Sequence, residues 1–230
     1  MNTAIIAAAG SGARMASGRP KQFLLLDGIP IIVHTLKRFE RCDDVHEIIV
    51  VLPANQTSEF LSSLGNYGLR KVGRIVPGGQ TRAESVHRGL MAVRAVTAEI
   101  VVVHDGVRPF VTTEEISETI DAAREHGAAI LVAPAVDTIK RVMDGVIVET
   151  LARNELRRAL TPQCFRYELL RRAYEGVDLS DPTITDDSFL VEQLGESVVF
   201  VDGNPRNIKI TTPQDLIVAE AYLKLGEIED

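Results

Sequence analysis

Cysteine is scarce in this chain: Cys42 and Cys164 are the only two among 230 residues. They stand far apart without metal-ligand spacing, which argues against a disulfide framework and a cysteine-rich metal site. Buried thiols in a reducing compartment, and hence a cytoplasmic location, are expected. No apolar run approaches the roughly 18–20 residues of a membrane span, so no membrane partner is expected. The stretch Met1-Asn2-Thr3-Ala4-Ile5-Ile6 lacks the basic region and cleavage site of a secretory leader and reads as a first strand. Positive charge is also short, with a formal net charge of −7. That argues against nucleic acid as the main partner, because such binding is driven by basic surface. It does not exclude a small polyanion, since a local cationic pocket can hold one inside an acidic protein. A Gly-x-Ser-x-Gly elbow is absent, and the histidines are too scattered for a metal cluster.

What is present is an alternation of apolar runs and amphipathic stretches, on a hydrophobic fraction of 45% that can build a substantial core. The pattern is that of an α/β fold: a Rossmann-like, mostly parallel sheet flanked by helices, in one domain over residues 1–230. Expected strands are Thr3–Ala8, Glu47–Leu52, Arg74–Val76, Glu99–His104, Ala128–Pro134 and Ser197–Val201. Most are nearly continuous in Val and Ile, as strands buried on both faces require. Expected helices are Ile31–Arg41, Thr81–Val96, Glu114–His126 and Phe165–Tyr174. Thr112 with Glu115 has capping-box spacing, and Thr212-Pro213-Gln214-Asp215 signals the start of a last helix. Thr185-Asp186-Asp187 reads as another helix start rather than a metal pair. Ile139–Thr150 reads as a β-hairpin turning at Asp144-Gly145. It would project as an arm over about residues 137–155, suited to dimerisation or to closing a site.

The strand at Thr3–Ala8 runs into Gly10-Ser11-Gly12. Taken alone, this is either a tight turn or a loop whose N–H groups approach an anion. A Walker loop is excluded because no Gly-Lys pair occurs in the chain. A dinucleotide fingerprint is excluded because Met15 stands where its third glycine is needed. Arg14, Arg19 and Lys21 crowd behind the turn, and with Pro20-Lys21-Gln22 the whole reads as a triphosphate cradle.

The string Ala8-Ala9-Gly10-x-Gly12-x-Arg14-Met15 with Pro20-Lys21-Gln22 resembles the signature of sugar- and polyol-phosphate nucleotidyltransferases. Five further segments follow: Gly78-Gly79-x-x-Arg82-x-x-Ser85-Val86, His104-Asp105-Gly106-Val107-Arg108-Pro109, Asp137-Thr138-Ile139-Lys140, Ala159-Leu160-Thr161-Pro162-Gln163 and Asn207-Ile208-Lys209-Ile210-Thr211. In this order they are similar to the 2-C-methyl-D-erythritol 4-phosphate cytidylyltransferase family, over essentially the whole chain. Two positions depart from it. Ala7 replaces a common proline, and His-Asp-Gly-Val-Arg-Pro replaces His-Asp-Ala-Ala-Arg-Pro. The second departure also resembles ribitol-phosphate cytidylyltransferases.

The resemblance implies attack of a phosphate monoester on the α-phosphorus of CTP, with Mg²⁺ as the divalent cation and pyrophosphate as the leaving group. It implies that Arg14, Lys21 and Lys209 act on the triphosphate and the transition state. Ala8, Ala9, Gly10, Gly12, Gly79, Ser85 and Asp105 would bind the nucleotide, Asp105 placing ribose or Mg²⁺. Arg108, Thr138, Arg153 and Thr161 would hold methylerythritol phosphate, with Thr138 and Arg153 acting across a homodimer joined by the arm. Plainer readings exist: Asp105 as a strand-end cap, Lys209 as an edge-strand charge, and Arg153 as part of a solvated charged stretch. A nucleotide-binding regulator without chemistry is the competing class.

Overall fold

A computed structural model describes residues 1–10 and 20–226. In chain order its first half holds β1 (Thr3–Ala7), β2 (Leu25–Leu26), β3 (Ile29–Pro30), α1 (Ile31–Arg41), β4 (Glu47–Leu52) and α2 (Thr57–Ser63). Then come β5 (Val72–Pro77), α3 (Arg82–Met91), β6 (Ile100–Asp105), α4 (Thr113–His126) and β7 (Ala128–Pro134). The last part holds β8 (Lys140–Met143), β9 (Val146–Thr150), β10 (Arg157–Arg166), α5 (Tyr167–Ala173), α6 (Asp187–Gln193), β11 (Val199–Asp202) and α7 (Pro213–Lys224).

Seven strands form one sheet in the order β11-β7-β10-β6-β1-β4-β5. Their pairings are parallel except for β10, which runs antiparallel to both β6 and β7. This is the expected mostly parallel α/β sheet, with the hairpin β8–β9 as a separate two-stranded piece. Side chains alternate across the sheet, as a period of two demands. Ala4, Ile6, Val50 and Val102 pack with Leu36, Phe39, Ile116 and Ile120 of α1 and α4. Ile5, Val51, Val101 and Val103 pack on the other face with Val86, Leu90 and Leu170.

The helix starts signalled by capping residues are observed. Thr112 and Glu115 exchange both bonds of a capping box, as do Thr212 and Asp215. Asp186 caps α6 by accepting from Phe189 N–H at 3.0 Å. The hairpin turns where Asp144 and Gly145 both have positive φ, 49° and 79°, the geometry of a tight two-residue turn. Two expectations are corrected. Residues 157–166 form a strand, so the helix expected from Phe165 starts at Tyr167; the charges at Arg157 and Arg158 and the proline at 162 hid it. The strand tolerates Pro162 because its register on β7 shifts between Ala159 and Gln163. The helix expected to reach Val96 ends at Met91. Helix α2 and the small β2–β3 hairpin had no expected counterpart.

Strand order reverses about β1: it pairs with β4 on one side and β6 on the other. The chain leaves in opposite directions from the carboxyl ends of these strands, and a crevice opens there. Ala8–Gly10 and Asp105 both sit at that crevice.

Candidate active site

The crevice is built by close backbone approach. Ala8 N–H still bonds Val51 O at 2.9 Å, while Gly78 N–H bonds Leu52 O at 2.8 Å. A Cβ on Gly78 would stand 2.1 Å from the Ala9 Cβ, so only glycine lets the two loops meet. Gly79 is held by its N–H, which donates to Ser85 Oγ at 3.1 Å, while the Ser85 hydroxyl donates to Thr81 O at 2.8 Å. Buried Gln22 donates to Ala8 O at 2.6 Å, which ties the short helical turn Lys21–Phe23 to the end of β1. Lys21 is thereby carried to the rim. The resulting cavity, about 360 Å³, is lined by Ala8, Ala9, Gly10, Lys21, Gly79, Ser85, Asp105 and Lys209 among others. Gly12 and Arg14 lie outside the described residues.

A smaller cavity of about 180 Å³ holds Arg108, Thr161, Thr185 and Asp186, and it shares Arg82, Asp105 and Lys209 with the first. Asp105 is therefore the junction. Its Oδ1 meets Arg82 Nε at 3.3 Å, and its Oδ2 meets Arg108 Nε at 3.1 Å and Lys209 Nζ at 3.0 Å. Burial disfavours its charge, but the Arg82, Lys209 and Arg108 cations together outweigh burial and hold the carboxyl well below the usual carboxylate range. Lys209 belongs to no strand, so it is not an edge-strand charge. Its neighbours Ile208 and Ile210 pack into a cluster with Val107 and Phe110, and Ile210 N–H bonds Val107 O at 3.0 Å. That anchoring presents Lys209 to the crevice.

Thr161 is tied into the same turn. Arg108 O can only accept, so His104 Nε2, 3.1 Å away, carries the proton. Nδ1 must then accept, and Thr161 Oγ1 donates to it at 3.0 Å while accepting from Asp105 N–H at 3.2 Å. Burial pushes the His104 pKa down to about 3, against the hydrogen bond to Arg108 O, which agrees with a neutral ring. The hydroxyl proton of Thr161 is thus committed, and toward a ligand this side chain can only accept.

Residues 2–225 match the family model for 2-C-methyl-D-erythritol 4-phosphate cytidylyltransferase. The chain belongs to that family. It is 47% identical to the Syntrophus aciditrophicus enzyme of that name, over 97% of this chain and 96% of the relative. It is 44% identical to the Bacillus cytotoxicus enzyme, over 97% and 98% of the two chains. A crystal structure of 4-diphosphocytidyl-2C-methyl-D-erythritol synthase from Anaerococcus prevotii superposes with a TM-score of 0.86 at 36% identity, covering 97% of this chain and 96% of that one.

In this cytidylyltransferase-family chain, two site residues expected from sequence are not brought to the crevice. Thr138 and Arg153 lie exposed on the arm and line neither cavity; Arg153 Nη1 donates to Val136 O at 3.1 Å. Conversely, Gln22, Arg82 and Asn207 hold the site together although sequence reasoning gave them no task. Asn207 is fully buried, donates to Thr161 O at 2.9 Å, and its carbonyl accepts from Arg108 Nη1 at 2.8 Å. Gln22, Arg82 and Asn207 all fall inside the quoted motifs, which was the available signal. Their bonding partners are remote in sequence.

Proposed function

We propose that this chain transfers CMP from CTP to 2-C-methyl-D-erythritol 4-phosphate, giving 4-diphosphocytidyl-2-C-methyl-D-erythritol and pyrophosphate in isoprenoid precursor biosynthesis. The observation that carries the reading is the pair of adjoining cavities with Lys209 at their junction. The larger suits the nucleotide and the smaller the acceptor phosphate. An oxygen of the acceptor monoester attacks the α-phosphorus. The bond to the β-phosphate oxygen breaks, and pyrophosphate leaves with its electron pair. No general base is required, because a phosphate monoester loses its second proton at about pH 6. Catalysis is positioning plus neutralisation of charge gathering between two polyanions. Lys21 and Lys209 supply that charge from opposite sides, joined by Arg14. Small backbone at Ala8, Ala9, Gly10, Gly12 and Gly79, with Ser85, forms the base and ribose pocket.

Mg²⁺ enters this proposal as the companion of the triphosphate. Asp105, the candidate protein ligand, has both oxygens engaged by cations, and no group of three or more potential ligand side chains exists among the described residues. A protein-held ion does not fit this donor set, and substrate phosphates commonly hold Mg²⁺ themselves. Arg108 and Thr161 face the acceptor, Thr161 through its remaining lone pair.

Thr138 and Arg153 would complete the acceptor site of a second copy through the arm. Val142, Met143, Val146 and Ile147 on that arm are each more than 60% exposed, an apolar surface that a homodimer would cover. A cytoplasmic setting suits Cys42 and Cys164, both buried as free thiols; no described helix is long and apolar enough to cross a membrane.

An acceptor panel with CTP and Mg²⁺, read by pyrophosphate release, tests the reaction. Methylerythritol phosphate is expected to be the best substrate. Faster turnover of ribitol 5-phosphate would overturn the acceptor, and CTP binding without release for any acceptor would indicate a regulator.

A further inference from the structure

Arg82, the first residue of α3, is held between two buried carboxylates. Its Nη1 bonds Asp187 Oδ2 at 2.7 Å, and its Nε bonds Asp105 Oδ1 at 3.3 Å. Asp187, in the first turn of α6, is fixed in turn. Tyr174 donates its hydroxyl to Oδ1 at 2.6 Å, and the Asp187 N–H donates to Gln163 Oε1 at 3.0 Å. On the far side, Asp105 Oδ2 receives Lys209 and Arg108. Charge therefore alternates along one line: Asp187, Arg82, Asp105, Lys209.

We propose that Asp187 and Arg82 are positioning residues for the transfer reaction, acting on Lys209 through Asp105. A guanidinium facing a single carboxylate prefers to engage both oxygens with its fork. Here Asp187 holds Nη1 and with it the tilt of the guanidinium, so only the Nε arm of the Nε/Nη2 fork reaches Asp105, at Oδ1, and Oδ2 is left to Lys209 and Arg108. The third nitrogen, Arg82 Nη2, is buried and has no hydrogen-bond partner among the described residues. It is a spare donor. Once the pull of Asp187 is removed, the fork can close on Asp105, take Oδ2 and displace Lys209 from the junction of the two cavities.

The competing explanation is that Arg82 and Asp187 form a buried pair serving stability alone. A crystal structure of Asp187→Leu without substrates separates the two. Both Asp105 oxygens are expected on Arg82, with Lys209 Nζ beyond contact distance; retention of the 3.0 Å contact overturns the proposal. In kinetics the same variant should lose about tenfold or more in kcat, with the KM for CTP within about threefold, the pattern of a defect felt in the transition state. Unchanged kcat overturns it.

The double variant Arg82→Met/Asp187→Leu adds a check that does not depend on tolerating a lone buried charge. Removing both charges should recover thermal stability relative to Asp187→Leu alone, since a buried pair is replaceable by apolar groups whereas one orphaned partner is costly. The kcat should nonetheless stay low, because without Arg82 nothing holds Asp105 Oδ1, the carboxylate is free to turn, and Lys209 is no longer fixed at the junction of the cavities. Recovery of kcat together with stability would show a structural pair only. The kinetic readouts rest on the proposed cytidylyl transfer. If the unmutated protein were inert with every acceptor, that function would fail, while the Lys209–Asp105 contact in Asp187→Leu would still decide the positioning.

Discussion

At the scale of single residues, the proposed reaction turns on positive charge placed around a phosphorus that two polyanions must share. Lys21 is the plainest example, carried to the rim of the larger cavity by the bond from Gln22 to Ala8 O. Lys21→Ala is expected to lower kcat by roughly 100-fold or more, the scale of losing one preorganised transition-state contact. Its thermal midpoint should stay close to that of the unmutated protein, because the tie to β1 runs through Gln22. Steady-state turnover with CTP and methylerythritol phosphate, beside a melting curve, checks both halves; normal turnover removes Lys21 from the proposed chemistry. That Lys21 and Lys209 would meet at one cavity was legible because each stands in a short motif of fixed spacing. Arg82 and Asp187 were not, since they are 105 positions apart and only folding makes them partners. Thr161 was legible as a site residue but not in its polarity. Its proton is spoken for by His104, 57 positions away.

Among the elements, the buried parallel strands and the capped helices were readable from period and end signals, because burial on both faces demands continuous Val and Ile. Strand β10 was not. It crosses from exposed Arg157 and Arg158 into the buried core, with Pro162 at a register shift, so no single pattern describes it. The hairpin β8–β9 was legible from Asp144-Gly145, and what it leaves open is its partner. An isolated two-stranded ribbon is marginal in water, and every residue of both strands is exposed. If the arm completes a neighbour's site, mixing Lys21→Ala with Arg153→Ala should restore activity. About a quarter of the unmutated rate is expected after random subunit exchange, because half the two-fold dimers would carry one intact site of two. Exchange is verified by tagged subunits; no recovery despite exchange places Arg153 outside a shared site.

For the molecule as a whole, the buried cluster behind Asp105 ties stability to pH. Folded His104 stays neutral down to about pH 3 because it is buried. In the unfolded chain it takes a proton near its ordinary value of about 6.5. Between these values the unfolded state binds more protons, so stability rises with pH across the window and is lost as pH falls. The slope from one such group is at most about 1.4 kcal/mol per pH unit. Asp105 acts in the same direction at lower pH, its folded carboxyl being held charged by Arg82, Lys209 and Arg108 against the burial that opposes it. Urea unfolding between pH 7 and 4.5 should therefore show falling stability. His104→Gln should be less stable at pH 7 but lose less on acidification. Parallel slopes for the two proteins would assign the dependence to other groups.

The sequence by itself determined the class of sheet, most helix starts, the arm and its turn, and most of the motifs that meet at one crevice. These depend on local backbone preference and on hydrophobic period, which are written in neighbouring residues. Only the tertiary structure decided the antiparallel course of β10, the three-cation grip on Asp105, the hydrogen-bond direction at Thr161 and the split fork of Arg82. Each of these is a contact between groups distant along the chain. Its energy depends on burial and on a geometry that exists only once the sheet has brought the carboxyl ends of β1 and β6 together.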